Sequence, residues 1–466
     1  MRKYMHLYVP IGMTSYLSTA EVATKAGVHR DTLLRWLRQG RIPEPSRDGR
    51  GWRVFTQGEA DAVVAHAAQA NALVTQSKSI SRLKAADWDM ATAKTSYLTH
   101  NIHPYPAKFI PQIPNMLIQE LSSVGDTVAD IFCGSGTTLL EALQLKRHAI
   151  GLDANPLATL ITKAKTTPLD TSALKILAQH RHGCERLAAS IEPNTTDLFH
   201  NGLPFKSQGW RPDSKVCETW FEPFVVEELA ELRSLFHSIS NEYARNLCSV
   251  VFSSIVVSVS LQDSDTRYVR RKKQIEPGDT VLKYIKQLDS AVSAVEKLSD
   301  VIESRFSCNV VTANVLDSPE LPQFDLVVTS PPYPNAFSYH LYHRTRLLWL
   351  GLDPKPFKDI EIGSHRKYSA KGPRRATVAT FSTELQMIFD WLRDQMTDRG
   401  HVCFVIGNST LAGERVDNAA LVTKAGADHG FVELARFNRS IATTRKALNP
   451  KIGGIKDERI VILQKV

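Results

Sequence analysis

Three short segments carry residues whose types and spacing suit chemistry. Residues 126–131 (DTVADI) are a short apolar run leading straight into Phe132-Cys133-Gly134-Ser135-Gly136-Thr137-Thr138, and a helical stretch follows to about residue 145. A Gly-rich turn between a strand and a helix lets a ligand approach the backbone closely, because no Cβ intrudes. Residues 148–153 (HAIGLD) then read as a second strand ending in an acid, Asp153, 17 residues beyond Gly136. That distance suits a carboxylate at the tip of the neighbouring strand, accepting hydrogen bonds from ribose hydroxyls. The glycine spacing is F-x-G-x-G rather than G-x-G-x-x-G, so a dinucleotide is not the first choice. The third segment, residues 324–329 (FDLVVT), is a buried-type strand that ends in Ser330-Pro331-Pro332-Tyr333. Two prolines fix φ and remove backbone donors. Their carbonyls and the Ser330 hydroxyl can converge on a donor such as an exocyclic amine, and Tyr333 offers a flat face for a base. An isolated Pro-Pro-Tyr is commonly a strand exit with a core aromatic. A nucleoside-type loop and a matching acid upstream in the same chain favour the chemical reading.

The elements that must position these segments alternate strand and helix, which implies an α/β domain with a parallel sheet. Residues 400–409 (GHVCFVIGNS) read as a later strand with a polar tip, Asn408. Residues 458–464 form the last strand, paired antiparallel with 430–437 at the sheet edge. Between residues 166 and 305 lie helical patterns at 222–239 and 279–305, with an apolar Val- and Ser-rich helix at 246–261 that can pack on the sheet. Upstream, Ser18-Thr19-Ala20-Glu21 is a capping-box pattern opening a helix that stops at Gly27. A second helix over 29–38 has Leu33, Leu34 and Leu37 as its apolar stripe and carries Arg30, Arg35 and Arg38 outward. Residues 40–53 suggest a wing, and Thr56-Gln57-Gly58-Glu59 opens a third helix to about residue 73. The expected organisation is a winged helix-turn-helix domain over 1–74, a linker over 75–100, an α/β domain over 101–165 and 306–466, and a helical insertion over 166–305.

The chain has 466 residues, 43% apolar and 23% charged, with a net charge of +9. Those proportions exclude a mainly disordered or collagen-like chain. No apolar run approaches the ~20 residues that span a bilayer, and the first twenty residues lack a signal-peptide pattern. The expectation is a cytoplasmic, nucleoid-associated protein with no membrane partner. The six cysteines are dispersed without a CxxC pair, which indicates neither zinc nor disulfides. His340-x-x-His343 has helical spacing but no carboxylate or thiol beside it in the pattern, so no metal is expected. Residues 1–60 hold ten Lys/Arg against five acids. Two further basic clusters are Arg267, Arg270, Arg271, Lys272, Lys273 and the loop-like Arg366, Lys367, Lys371, Arg374, Arg375. Such charge suits a polyanion.

LSTAEVATKAGVHRDTLLRWLRQGRIPEP resembles the winged helix-turn-helix of the MerR/excisionase type. DIFCGSGTTLLEA paired with TSPPY resembles the amino-group DNA methyltransferases that use S-adenosylmethionine. That resemblance implies a Rossmann-like seven-stranded methyltransferase sheet carrying a helical insertion. It places Asp130, Phe132, Gly134, Gly136 and Thr137 around the methionine part of the cofactor and Asp153 on the ribose. Asn314 stands for the adenine contact, with Asp317 as competitor, and Lys108 and Phe109 in HPYPAKFIPQ for the segment that closes over the methionine end. Ser330, Pro331, Pro332 and Tyr333 form the catalytic tetrapeptide. Arg30, Arg35, Arg38, Arg267, Arg270, Arg271, Arg366, Lys367 and Arg374 are the candidate DNA contacts, with 166–305 as the candidate target-recognition region and 363–376 as its rival. The implied partners are double-stranded DNA and a cognate restriction endonuclease, in a restriction-modification or related system. None of the six cysteines follows a proline, which argues against thiolate attack at cytosine carbon 5. In this family Ser in the first tetrapeptide position goes mainly with cytosine N4, so cytosine N4 is preferred over adenine N6. RNA methylation and a transcription regulator built on a non-catalytic methyltransferase fold stay open as alternatives.

Overall fold

The computed structural model describes residues 16–191, 205–335, 337–373, 375–411, 413–441 and 457–466, leaving out the side chains of residues 71 and 73. Arg374 and the basic pair Arg445 and Lys446 lie outside the described residues. The chain divides into two compact units, residues 1–82 and 83–466.

In the first unit, Ser18 caps α1 (Thr19–Lys25): its hydroxyl accepts from the Glu21 N–H while Glu21 reaches back to the Ser18 N–H at 2.7 Å. Helix α2 (Arg30–Arg38) follows a turn at Gly27, whose φ of +64° suits glycine. Val22, Leu33, Trp36, Leu37, Phe55 and Val63 form this unit's core. Leu17–Ser18 pairs antiparallel with Val54–Phe55, and Arg47 bridges Arg53, so the residues between α2 and the next helix fold back as a wing. The Thr56–Glu59 capping box is present. The helix it opens, α3 (Gln57–Ala85), runs well past the expected end near residue 73. Its continuation is polar and carries no apolar stripe, so a hydrophobic pattern does not mark it. The expected linker over 75–100 therefore starts as helix.

The second unit is a seven-stranded sheet of β1 (Thr127–Asp130), β2 (His148–Asp153), β3 (Cys308–Thr312), β4 (Phe324–Thr329), β5 (Met396–Gly407), β6 (Phe431–Ser440) and β7 (Asp457–Lys465). The strand order is β6-β7-β5-β4-β1-β2-β3, and only β7 runs against its neighbours. This is the Rossmann-like methyltransferase order. The order reverses beside β1, where β4 lies on one side and β2 on the other. A ligand site belongs at the carboxyl ends of strands at such a switch point, and β1, β2 and β4 are the strands that carry the three chemical segments. β7 is interior and β6 forms the edge.

Both faces of the sheet are covered. Helices Val378–Gln395 and Asn418–Asp428 pack on one side around Phe389, Phe404 and Phe431. On the other side α4 (Gln112–Leu121), α5 (Thr137–Gln144) and α6 (Pro156–Thr166) meet the sheet. The residues from 166 to 305 form α7 (Thr171–Ser190), α8 (Ser214–Trp220), α9 (Pro223–His237), α10 (Glu242–Val259), a short hairpin and α11 (Asp279–Val301). The apolar α10 packs on α6, α7, α9 and α11 rather than lying flat on the sheet. It shares one core with Leu157, Ile161, Leu347 and Trp349, so this stretch is built into the catalytic unit. Glu228 on α9 caps α11, accepting from the Gly278 and Thr280 N–H groups at 2.7 and 3.1 Å. A carboxylate there also opposes the positive end of the helix dipole.

Candidate active site

At the carboxyl ends of β1, β2 and β4 lies an open cavity of about 860 Å³. The Gly-rich turn forms its floor. Gly134 and Gly136 both take left-handed φ, +49° and +73°, and Gly136 starts α5. A Cβ at Gly134 would come within 3.3 Å of the Tyr105 ring, and one at Gly136 within 2.7 Å of the Thr162 methyl. Gly134 therefore lets the turn meet the cavity wall, whereas Gly136 is required by packing behind it and does not line the cavity. Lys108, Phe109, Asp130, Phe132, Gly134, Thr137, Asp153, Asn314, Ser330 and Pro332 all line it, gathering residues more than 200 positions apart. Pro331 and Tyr333 do not line it, and Asp317 is not among its walls.

Two carboxylates brace the turn from below. The Asp153 Oδ2 accepts from the Gly134 N–H at 2.9 Å, and Oδ1 from the Asn155 N–H at 2.8 Å. Asp130 accepts from the Thr329 hydroxyl at 2.6 Å, tying β1 to β4 just before the tetrapeptide. Burial pushes both carboxyls up to about 6, against the pull of those hydrogen bonds. The Asp130 and Glu361 charges add to the rise at Asp153.

Behind the turn, the expected linker ends in a strap pinned to the catalytic core. Glu141 on α5 is fully buried and accepts from Tyr97 Oη, His100 Nε2 and Asn115 Nδ2, each at 2.7 Å. Burial lowers His100 to about 4, so the ring is neutral and its Nε2–H is the donor to Glu141. Lys165 is buried too and donates to the Ser135 carbonyl inside the Gly-rich turn at 2.9 Å, while Thr99 bonds the Lys165 carbonyl. Burial holds the Lys165 ammonium well below the usual lysine range. Lys108 donates to the His100 carbonyl at 2.8 Å, closing the strap over the cavity. Sequence patterning missed Tyr97, His100, Glu141 and Lys165, whose partners lie on other elements.

The tetrapeptide differs from the sequence expectation at two residues: neither Pro331 nor Tyr333 lines the cavity. Tyr333 is 9% exposed and packs among the core residues beneath β5. Its hydroxyl donates to Glu458 on β7 at 2.7 Å, and Glu458 in turn accepts from Arg439. The ring is an anchor of the corner, not a free face. Tyr339 lines the cavity instead and stacks on Tyr105, ring centres 5.9 Å apart. Glu361 also lines the cavity and was not singled out in the sequence, where nothing in its spacing marks it.

Arg30, Arg35 and Arg38 are exposed along α2. In the catalytic unit Arg267 and Arg270 sit on a hairpin of Gln262–Ser264 and Arg267–Arg270. Asp263 pairs with both Arg267 and Arg271, which offsets part of that cluster's charge. The expected loop at 363–376 contains a short helix, His365–Ser369, carrying Arg366 and Lys367. His365 bonds the Asn335 side chain at 2.7 Å, and Ser364 bonds Ser338 at 3.1 Å, so this basic segment is held against the residues after the tetrapeptide. His340 bonds Glu361, and no cluster of three or more metal-ligating side chains occurs among the described residues.

Comparison with known proteins places this geometry. Residues 52–163 match the sequence model of a DNA methylase family, and residues 18–55 match that of the MerR family regulatory proteins. A type II methyltransferase of Methanocaldococcus jannaschii, M.MjaII, is 38% identical over 382 residues, covering 64% of this chain and 72% of that protein. The chain belongs to the type II DNA amino-methyltransferases. M.MvaI of Kocuria varians is 28% identical, over 55% of this chain and 59% of its own length, and M.BsoBI of Geobacillus stearothermophilus 25% identical over 56% and 54%. The chain thus spans little more than half the length of these two type II methyltransferases. The family's cofactor is S-adenosylmethionine, and the cavity fits it. The Thr137 hydroxyl is buried at the wall without a hydrogen-bond partner, Gly134 leaves a cradle that a Cβ would fill, and Asp153 stands at the β2 tip.

Proposed function

We propose that this chain is a site-specific DNA methyltransferase acting on the exocyclic N4 of cytosine in duplex DNA, as part of a restriction-modification or related system that pairs it with a cognate endonuclease. The observation that carries the reading is that Ser330 and Pro332 line the same cavity as the Gly-rich turn and Asp153. One site thus offers acceptors for an amine beside a nucleoside cradle. The serine in the first tetrapeptide position favours cytosine over adenine.

Asp153 would take the ribose hydroxyls, Asn314 the adenine ring, and Lys108, Phe109, Phe132 and Thr137 the methionine end. The bound cofactor supplies an activated methyl group whose bonding electron pair leaves with sulfur. The protein then has mainly to position a nucleophilic nitrogen. The target base lies inside a duplex and must be flipped out. Its exocyclic amine donates to the Ser330 hydroxyl and the Pro331 carbonyl, which aims the nitrogen lone pair. With Tyr333 buried, Tyr339 on its Tyr105 backing offers an aromatic face for the flipped ring. The exposed arginines of α2 enter the major groove, and Arg267, Arg270, Arg366 and Lys367 hold DNA phosphates.

Methylome sequencing of a host expressing the chain tests this. A single short motif carrying N4-methylcytosine supports it. N6-methyladenine at such a motif would move the reading to adenine, and an unmodified genome would refute it.

A further inference from the structure

Methylation of an amine leaves one proton to dispose of. As the nitrogen–carbon bond forms and the carbon–sulfur bond breaks, the nitrogen becomes cationic and must shed a hydrogen. The proposed amine acceptors, a hydroxyl and a carbonyl, do not keep a proton. An acceptor built into the cavity wall beside the amine can take it as the bond forms.

We infer that Glu361 is that acceptor, with His340 as the residue that positions it. The inference rests on the amine-methylation reading above. Glu361 is 3% exposed, yet it lines the cavity with Ser330, Pro332 and Tyr339. Its place beside the tetrapeptide is fixed by the backbone two residues on. A Cβ at Gly363 would lie 2.9 Å from the Pro332 carbonyl and 2.8 Å from that of Tyr333. The Asn335 N–H also donates to the Gly363 carbonyl at 3.0 Å. Only glycine, at φ +71°, lets the segment of residues 361–363 lie this close to the corner.

The carboxylate is oriented. Oε1 accepts from the Tyr339 N–H and Oε2 from His340 Nδ1, both at 2.5 Å. Each oxygen keeps a lone pair beyond these bonds. Among the described residues no lysine or arginine pairs with Glu361; the side chain bonded to it is that of His340. A carboxylate held for structure alone would sit as Glu141 does, among several neutral donors away from any cavity. The ionisable groups facing Glu361 are His340, Asp153, Tyr339 and Tyr342. In the step itself the amine proton passes to a Glu361 oxygen. The His340 Nδ1–H stays on Oε2 and aims the carboxylate, and the acid proton passes to solvent once the methylated base departs.

The test uses the full chain, unmethylated bacterial genomic DNA and saturating S-adenosylmethionine under single-turnover conditions. Glu361→Gln should slow methyl transfer by about a hundredfold, the usual scale of a lost general base. It should flatten the acidic limb of the pH–rate profile. Affinity for S-adenosylhomocysteine, measured by calorimetry, should stay within about threefold, since the residue acts in the transition state rather than in binding. His340→Ala, which removes the donor that aims Glu361, should slow transfer by about tenfold, and His340→Gln, which keeps a donor there, should restore most of the rate. An unimpaired Glu361→Gln overturns the inference. So does a loss of S-adenosylhomocysteine affinity matching the loss of rate, which would make Glu361 a ligand of the methionine ammonium. If Glu361→Gln does not fold, the His340→Ala rate decides in its place, and an unimpaired rate overturns the inference. A wild-type chain that methylates no base refutes the functional reading itself, and is thereby distinct from a failure of this inference.

Discussion

The two units of the chain handle charge in opposite ways. The N-terminal unit keeps Arg30, Arg35 and Arg38 exposed on α2 and holds its helices with local devices such as the Ser18–Glu21 box. The catalytic unit buries its charges: Glu141 and Lys165 behind the Gly-rich turn, Asp130 and Asp153 under it, Glu361 in its cavity. An exposed cation gains little from any one neighbour and serves a distant polyanion. A buried charge must be met by specific partners, and those partners stitch separate segments into one site.

The sharpest way to break this comparison is to remove a buried charge. Glu141→Ala strands four donors, from Tyr97, His100, Asn115 and Gln144. We expect a loss of about 3–5 kcal/mol in denaturant unfolding, with the strap released and cofactor affinity falling with it. A cost below about 1 kcal/mol would mean the buried network behaves like a surface one.

The exposed side of the comparison is next. Replacing Arg30, Arg35 and Arg38 together by alanine should leave unfolding and cofactor affinity unchanged. Binding to duplex DNA should weaken about tenfold or more, and the salt dependence should flatten by about 0.9 in log–log slope for each phosphate that is no longer neutralised. An unaltered slope would make the first unit a docking module.

The buried carboxyls also give a pH signature. Burial raises Asp130 and Asp153 from 3.8 to about 6 in the cofactor-free fold. The folded chain then binds protons that the unfolded chain has released, so these groups make stability decline as pH rises from about 4 to about 6. On the proposed assignment of Asp153 to the ribose hydroxyls, which need its ionised form, cofactor affinity should rise over the same window, by up to about tenfold per pH unit. Calorimetric titration of S-adenosylhomocysteine between about pH 4 and pH 7 measures it, and Asp153→Asn should remove the dependence. The smallest effect is at the surface: Ser18→Ala should cost about 1 kcal/mol of first-unit stability, as a lost N-cap.

The same contrast explains what was legible in the sequence. Strands at 148–153 and 324–329 and the start of α1 follow from patterns within a few residues, and the structure places them where expected. Ten of the residues anticipated from motif resemblance line one cavity. What escaped is non-local. The strap's value depends on Glu141, some forty residues on. The inward turn of Tyr333 depends on Glu458 on the last strand. Glu361 is placed by Gly363 packing on Pro332. The polar second half of α3 escaped for another reason: it has no apolar face for a pattern to reveal.

The central claim is that the tetrapeptide presents an amine to the cofactor cradle across one cavity. Nucleoside mass spectrometry of duplex DNA treated with S-adenosylmethionine and either the wild-type chain or Ser330→Ala tests it most directly. The account predicts N4-methylcytosine with the wild type and about a hundredfold less with Ser330→Ala at equal cofactor affinity. No methylated base with the wild type, or an undiminished yield from Ser330→Ala, would contradict it.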